Sequence, residues 1–199
     1  MDRATAPVKA RRASFLGGER FAVFAESLLT GVWIAVASLG VVTWPAAFAA
    51  GARHLRRRVG HEGGGLREFV RDFRTAVRGG WAVGLAGWAA AAAVRVDLLA
   101  VRAGIPGGPF VGAVGVLALI GLVVAVLRAA ACWTPGASWR ALLAGAGRRT
   151  VLDPAGSFLI VGGLGVVALS ALFVAPLAVP VLGAVAAAAV AVEERHRHR

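Results

Sequence analysis

The longest stretch without a charged residue runs from Pro154 to Val192 and covers 39 residues. A transmembrane helix needs about 20 predominantly apolar residues to cross about 30 Å of hydrocarbon. Three further stretches are nearly as apolar: Ser27–Ala52, Gly79–Val101 (interrupted by Arg95 and Asp97) and Ala103–Leu127. Runs of this length constrain the chain more than any other feature, and they are typical of membrane spans.

Composition excludes several other classes of protein. The 199 residues are 58% hydrophobic and 16% charged, whereas a soluble domain carries about 45–50% apolar and about 25% charged residues. A disordered chain would be far less apolar. A small secreted domain held by disulfides needs several cysteines, and Cys132 is the only one.

Backbone polar groups inside lipid must bond to one another, so the spanning segments are expected to be helices. We predict an all-α polytopic transmembrane bundle of five to six helices with short interfacial helices. Proline favours a turn at Ala175-Pro176. The spans are expected at about 21–43, 81–102, 109–131, 155–174 and 177–192, within one helical domain over 21–192 that lies between basic tails at 1–20 and 193–199.

The basic segments predict the orientation of the bundle. The net charge of +12 is explained by the positive-inside rule rather than by a nucleic-acid partner. The rule places 51–80, 132–150 and the C-terminus in the cytoplasm and the proline-rich turns outside. We therefore expect a multi-pass protein of the bacterial inner (cytoplasmic) membrane.

The side on which the N-terminus lies depends on the residues around Thr43, Trp44 and Pro45, where a helix break is expected. A single span before the break puts the basic N-terminus outside and gives five crossings. A short returning arm over 45–58 puts it inside, and we favour this alternative. Irregular backbone at that depth requires burial in protein or contact with water.

The segment 66–78 has the pattern of an amphipathic basic helix, with apolar residues that include Phe69 and Phe73 at helical spacing. Charged residues, among them Arg67, Arg71, Asp72 and Arg74, occupy its polar side. Such a helix binds an anionic membrane surface or a partner protein, or packs on its own bundle as an interfacial helix. The loop 132–150 predicts a second short interfacial helix, anchored by tryptophans.

Arg95 and Asp97 form a candidate intramembrane polar site within the second span. Ionisable residues in spans are costly and mark functional sites by default. Arg95 is expected near the outer face, where a long side chain can also snorkel to water. Residues two apart do not face each other on a helix, so each needs another partner.

Known catalytic signatures are absent from the sequence. It contains no HExxH, Gly-x-Ser-x-Gly, Walker or CxxC motif. We therefore expect no enzymatic activity, no cofactor and no metal site. His196 and His198 are interpreted as part of a solvated tail.

The segment Val32–Trp81 resembles the YesL-type family of uncharacterised bacterial integral membrane proteins. The likeness lies in the block Val42-Thr43-Trp44-Pro45-Ala46 at the end of the first helix and in the Phe69–Phe73 segment before the second span. Trp44 replaces the family's usual glycine. The resemblance carries over no catalytic residue, because none is assigned in the family, and it implies a link to carbohydrate ABC transporters.

The leading functional hypothesis is a non-catalytic accessory to a carbohydrate ABC transporter. The alternative is a small autonomous transporter or channel. Expected partners are the lipid bilayer and either the permease subunits of the transporter or further copies of the same chain.

Overall fold

The computed structural model describes residues 25–40, 42–60, 65–173 and 175–197. Seven helices follow one another along these residues, and no strand occurs within them. The helices are α1 (Ala25–Gly40), α2 (Trp44–Val59), α3 (Leu66–Arg102), α4 (Gly108–Ala131), α5 (Trp139–Leu152), α6 (Pro154–Phe173) and α7 (Ala175–Arg197). The predicted all-α class is therefore confirmed for the described residues, and the tail 1–20 lies outside them.

Local signals in the sequence explain where several helices begin. Proline occupies one of the first positions of α2 and of α4, where its missing N–H removes no helical hydrogen bond. Gly107 precedes α4 with a φ of 80°, which glycine adopts without strain. At the start of α6, Asp153 Oδ1 accepts a hydrogen bond from the Gly156 N–H at 3.1 Å, as an N-cap residue does.

The expected interfacial helix over 66–78 and the expected span over 81–102 are one continuous helix, α3, of 37 residues. The prediction of two separate helices is therefore wrong. Glycine inside a helix costs about 1 kcal/mol relative to alanine, yet α3 continues through Gly79 and Gly80. Residues of other helices pack against both glycines: Trp139 packs on Gly79, and Ala46 and Trp139 pack on Gly80.

Helices α1 and α2 form an antiparallel hairpin. Glu26 near the start of α1 contacts His54 near the end of α2, and the Thr43 hydroxyl donates to the Ala37 carbonyl at 2.8 Å. The break between them lies at 40–44, and Val42 contacts Gly84 of α3. The hairpin therefore turns back at the level of Gly84, whereas α3 continues to Arg102.

The core lies around α2, at the end of the bundle where α1 begins and α4 ends. Five alanines of α2 are fully buried, and the continuous buried stretch of α4 is its last eight residues, Val124–Ala131. Small residues let helices approach closely. The first half of α4 and most of the second half of α6 keep large apolar side chains exposed, including Phe110, Leu117, Leu169 and Phe173.

Helices α6 and α7 form a second antiparallel pair, in which Gly163 faces Val185. We expected a turn at Ala175-Pro176, but α7 begins at Ala175, so Pro176 lies in its first turn, where proline is tolerated. We also expected a basic tail from residue 193. Helix α7 instead continues to Arg197, and Glu193 is buried.

By length and composition, two helices within the described residues can cross a membrane, α3 and α4. Helices α5 and α6 meet at an angle of 102° and make a third if they count as one broken span. These features are consistent with a membrane protein. Five to six crossings stay a prediction.

Candidate functional site: a buried ionic layer and an exposed basic face

Asp72 joins α3 to α2. It lies on the buried side of α3 between Phe69 and Ala76, and only 2% of its surface is exposed. Its Oδ2 atom lies 3.2 Å from Arg53 Nε and 3.0 Å from Arg57 Nη2. A buried carboxylate is tolerated when it is paired, so these contacts fasten the two helices.

Glu26 closes the α1–α2 hairpin at its open end. Its Oε1 atom lies 2.9 Å from His54 Nε2 and 3.0 Å from Arg58 Nη2. The His54 ring is buried against Trp33, with the two ring centroids 5.1 Å apart in an edge-on arrangement. Helix α1 is thereby held to α2 by both charge and aromatic packing.

Arg128 is fully buried and links the end of α4 to α6 and α7. Its Nη2 donates to Asp153 Oδ2 at 2.9 Å, and its Nη1 donates to Glu193 Oε1 at 3.4 Å. The absence of a side chain at Gly156 leaves room for the guanidinium, because a Cβ at this position would lie 2.5 Å from Arg128 Nη2. The hydrogen bond from Arg128 also keeps the pKa of Asp153, which lies outside both α5 and α6, below its usual value.

Glu193 and α5 extend this cluster. Arg149 Nε lies 3.0 Å from Glu193 Oε2, and the Cys132 thiol donates to the same oxygen at 3.2 Å. The Trp139 indole donates to the Ala76 carbonyl at 3.2 Å, and Arg56 donates to the Trp133 carbonyl. The loop after α4 and the start of α5 are thereby attached to α2 and α3.

We call this set of ion pairs the ionic layer. It comprises four carboxylates, five arginines and one histidine: Glu26, Asp72, Asp153, Glu193, Arg53, Arg57, Arg58, Arg128, Arg149 and His54. Every one of these carboxylates is bound by at least one arginine. Within the described residues no group of three or more His, Cys, Asp or Glu side chains is placed to hold a metal ion. The arrangement is suited to holding helices together.

The opposite side of the same α3 segment carries an exposed basic face, which we define as Arg67, Arg71 and Arg74. With Leu66, Val70 and Thr75 they line a shallow groove. In the part of the chain that the structure describes, these three guanidinium groups form no ion pair within 4.0 Å. Their charge is available to a binding partner.

The two phenylalanines predicted as contact residues do not share this surface. Phe69 is 3% exposed and packs on Trp33 with ring centroids 5.5 Å apart. Phe73 is half-buried and stacks with Phe69 at 6.5 Å. The prediction of Phe69 as a surface contact is wrong, because the face of α3 that carries it is covered by α1 and α2.

Arg95 and Asp97 are not brought together. Arg95 is exposed, whereas Asp97 is half-buried and lies against Gly115 of α4, 3.0 Å from the position that a Cβ there would take. Thr43 lies directly before α2, with Trp44 and Pro45 as the first two residues of that helix. Pro45 is fully buried.

The ionic layer is the part of the site that sequence reasoning missed. A signal was present: four of its charges directly adjoin the long uncharged stretches. Glu26 precedes Ser27, Arg128 follows Leu127, Asp153 precedes Pro154 and Glu193 follows Val192. Charges at helix ends that meet at one end of a helical bundle can pair, and matching them by sign would have predicted this cluster.

The chain matches no protein-family profile, no curated protein and no solved structure at a significant level. The resemblance to the YesL-type family therefore stays a prediction.

Proposed function

We propose that this protein is a non-catalytic membrane protein that docks on a partner membrane protein through its exposed basic face. Following the family resemblance, the proposed partner is a permease subunit of a carbohydrate ABC transporter. The observation that carries the proposal is the continuity of α3, which joins the apolar part of the helix to the arginines of the basic face.

The charges of α3 suggest how it lies in the bilayer. Between Arg78 and Arg95 the helix carries no charge, and this part extends over about 25 Å at 1.5 Å per residue. Arginines at both ends can snorkel, so this length matches a hydrocarbon core of about 30 Å. By the positive-inside rule the Arg78 end faces the cytoplasm of a bacterial inner membrane.

The same geometry favours a protein partner over the membrane surface for the basic face. Since Leu66–Arg78 continues the axis of the span, this segment stands away from the bilayer instead of lying on it. Arg67 is about 16 Å beyond Arg78 along the helix, whereas each headgroup region is about 5–8 Å thick. At least Arg67 is therefore beyond the lipid phosphates and available to acidic groups of a neighbouring protein.

The ionic layer supports a role without catalysis. Its carboxylates are bound by arginines within the chain, which leaves them unsuited to general-base or metal chemistry. With α3 placed in the bilayer in this way, the ionic layer lies at the cytoplasmic boundary of the membrane. The α1–α2 hairpin then enters the bilayer from the cytoplasmic side as a returning arm.

Charge reversal tests the docking proposal. The triple variant Arg67→Glu, Arg71→Glu, Arg74→Glu reverses three surface charges. An exposed ion pair contributes about 0.2–1 kcal/mol, and reversal replaces this attraction by a repulsion of similar size, so we expect about tenfold less permease to copurify from native membranes. The measurement is quantitative mass spectrometry of the protein purified in mild detergent.

The matched control is the double variant Arg140→Glu, Arg148→Glu, which reverses two exposed charges on α5. It should recover as much permease as the unaltered protein. Equal recovery with all three proteins, or no permease with any of them, would contradict the proposal.

One observation favours the alternative, an autonomous transporter or channel: Asp97 is a half-buried carboxylate facing α4. That function predicts solute flux in proteoliposomes which falls at least about tenfold in Asp97→Asn, because a carboxylate held between two membrane helices marks an ion or substrate pathway, here at its outer end. Arg95→Ala, at an exposed position on the same helix, is the control. Absence of flux under a range of gradients would count against this alternative.

A further inference from the structure

A cavity of about 400 Å³ lies below the ionic layer, between α1, α2, α3, α4, α6 and α7. Its walls include Ile34, Trp44, Phe48, Ala91, Val123 and Leu164. The volume falls within the range of about 300–1,000 Å³ that is typical of small-molecule sites. The cavity belongs to neither the ionic layer nor the basic face.

The walls of this cavity do not suit water. A buried water needs about two to four polar partners. Among the described residues that line the cavity, the polar side-chain groups are the Ser38 hydroxyl and the indole N–H groups of Trp44 and Trp88, and the rest of the wall is apolar. A void of this size left empty would forfeit packing contacts along its walls. An apolar occupant is therefore favoured.

The cavity is continuous with the apolar outside of the bundle. Trp88 is one of its lining residues and is 51% exposed, and Leu85 and Ile120 nearby on α3 and α4 are also exposed. At its other end the lining residue Leu127 directly precedes Arg128 of the ionic layer. Arg128 is buried and already paired with Asp153 and Glu193, so a molecule that enters from the lipid side meets mainly hydrocarbon walls, which suit an acyl chain.

We propose that this cavity binds one acyl chain of a membrane lipid as a tightly held structural ligand. The inference uses the placement of the bundle in a membrane but not the docking of a partner, so it stands if the transporter association fails.

The test compares two alanines on α3. Ala91 lines the cavity, whereas Ala93 is exposed on the outside of the same helix. Native mass spectrometry after detergent exchange should detect one lipid per chain on the unaltered protein and on Ala93→Phe. Ala91→Phe fills the cavity and should lower lipid retention at least about fivefold.

A second filling variant, Val123→Phe on α4, keeps the test decisive if Ala91→Phe does not fold. Near-UV circular dichroism identifies the folded variants before lipid is counted. Full lipid retention by a folded filling variant would overturn the proposal. So would an unaltered protein that retains no lipid, or one that retains a bound molecule other than a lipid.

Discussion

Replacing Arg128 by methionine lowers the free energy of unfolding by about 3–5 kcal/mol, because it leaves Asp153 without its cation at a buried site and leaves Glu193 with Arg149 alone. Arg128 is fully buried between Asp153 and Glu193. Methionine keeps most of the side-chain volume, so the effect reports charge more than cavity formation. The measurement is unfolding in detergent micelles, followed by near-UV circular dichroism.

The control is Arg140→Met, which removes an exposed arginine from α5 and should change the same free energy by less than about 0.5 kcal/mol. In the double variant Arg128→Met, Asp153→Asn, the stranded negative charge is removed as well, so part of the lost stability should return. If Arg128→Met and Arg140→Met have the same free energy of unfolding, Arg128 is not the cation that holds α4 to α6 and α7.

The second large effect is expected at Gly84, where α3 meets the break between α1 and α2. A Cβ at this position would overlap the carbonyl of Val42, which is backbone and cannot rotate away. Gly84→Ala should therefore destabilise the protein by about 1–3 kcal/mol, the usual cost of overpacking. The same thermal or denaturant unfolding measurement applies.

Gly87 lies one turn further along α3 and provides a matched control. The nearest atom to a Cβ there is Trp44 Cζ2 at 3.7 Å, an ordinary contact. Since alanine favours helix over glycine by about 1 kcal/mol, Gly87→Ala should stabilise the protein slightly. A loss of stability in Gly84→Ala together with a gain in Gly87→Ala supports the close approach of the α1–α2 hairpin to α3. Changes of the same sign in both variants would contradict it.

The uncharged stretches identified several helices because the pattern is local. The expected span over 109–131 matches α4, Gly108–Ala131, and the span over 155–174 matches α6, Pro154–Phe173. Both begin where proline and a preceding glycine or aspartate mark the boundary. Such boundaries depend on neighbouring residues only, so the sequence is sufficient to find them.

The continuity of α3 was not predictable in the same way. By intrinsic propensity alone, Gly79 and Gly80 weaken a helix. Both are supported by the packing of Trp139, which lies about 60 positions further along the chain. This continuity bears on the proposed function, because a broken helix would let the basic segment lie on a membrane surface instead of projecting from it. Tertiary contacts override propensity here.

The candidate site was predictable only in part. The exposed arginines Arg67, Arg71 and Arg74 followed from helical spacing. Asp72 was assigned to the polar side of the same helix, although its position between Phe69 and Ala76 places it on the buried face. A charged residue is expected to face solvent unless its partner is known, and its partners Arg53 and Arg57 belong to another helix.

The ionic layer also bears on how the chain is made. Arg128 is synthesised 65 residues before Glu193, so α4 is complete well before α7 supplies the second carboxylate. Until then Asp153 is the acid paired with Arg128, and Arg149 lacks its carboxylate. The arrival of Glu193 balances the charge of Arg149 and ties α4, α5 and α7 together, so α7 is the helix that locks the nascent bundle into its final arrangement.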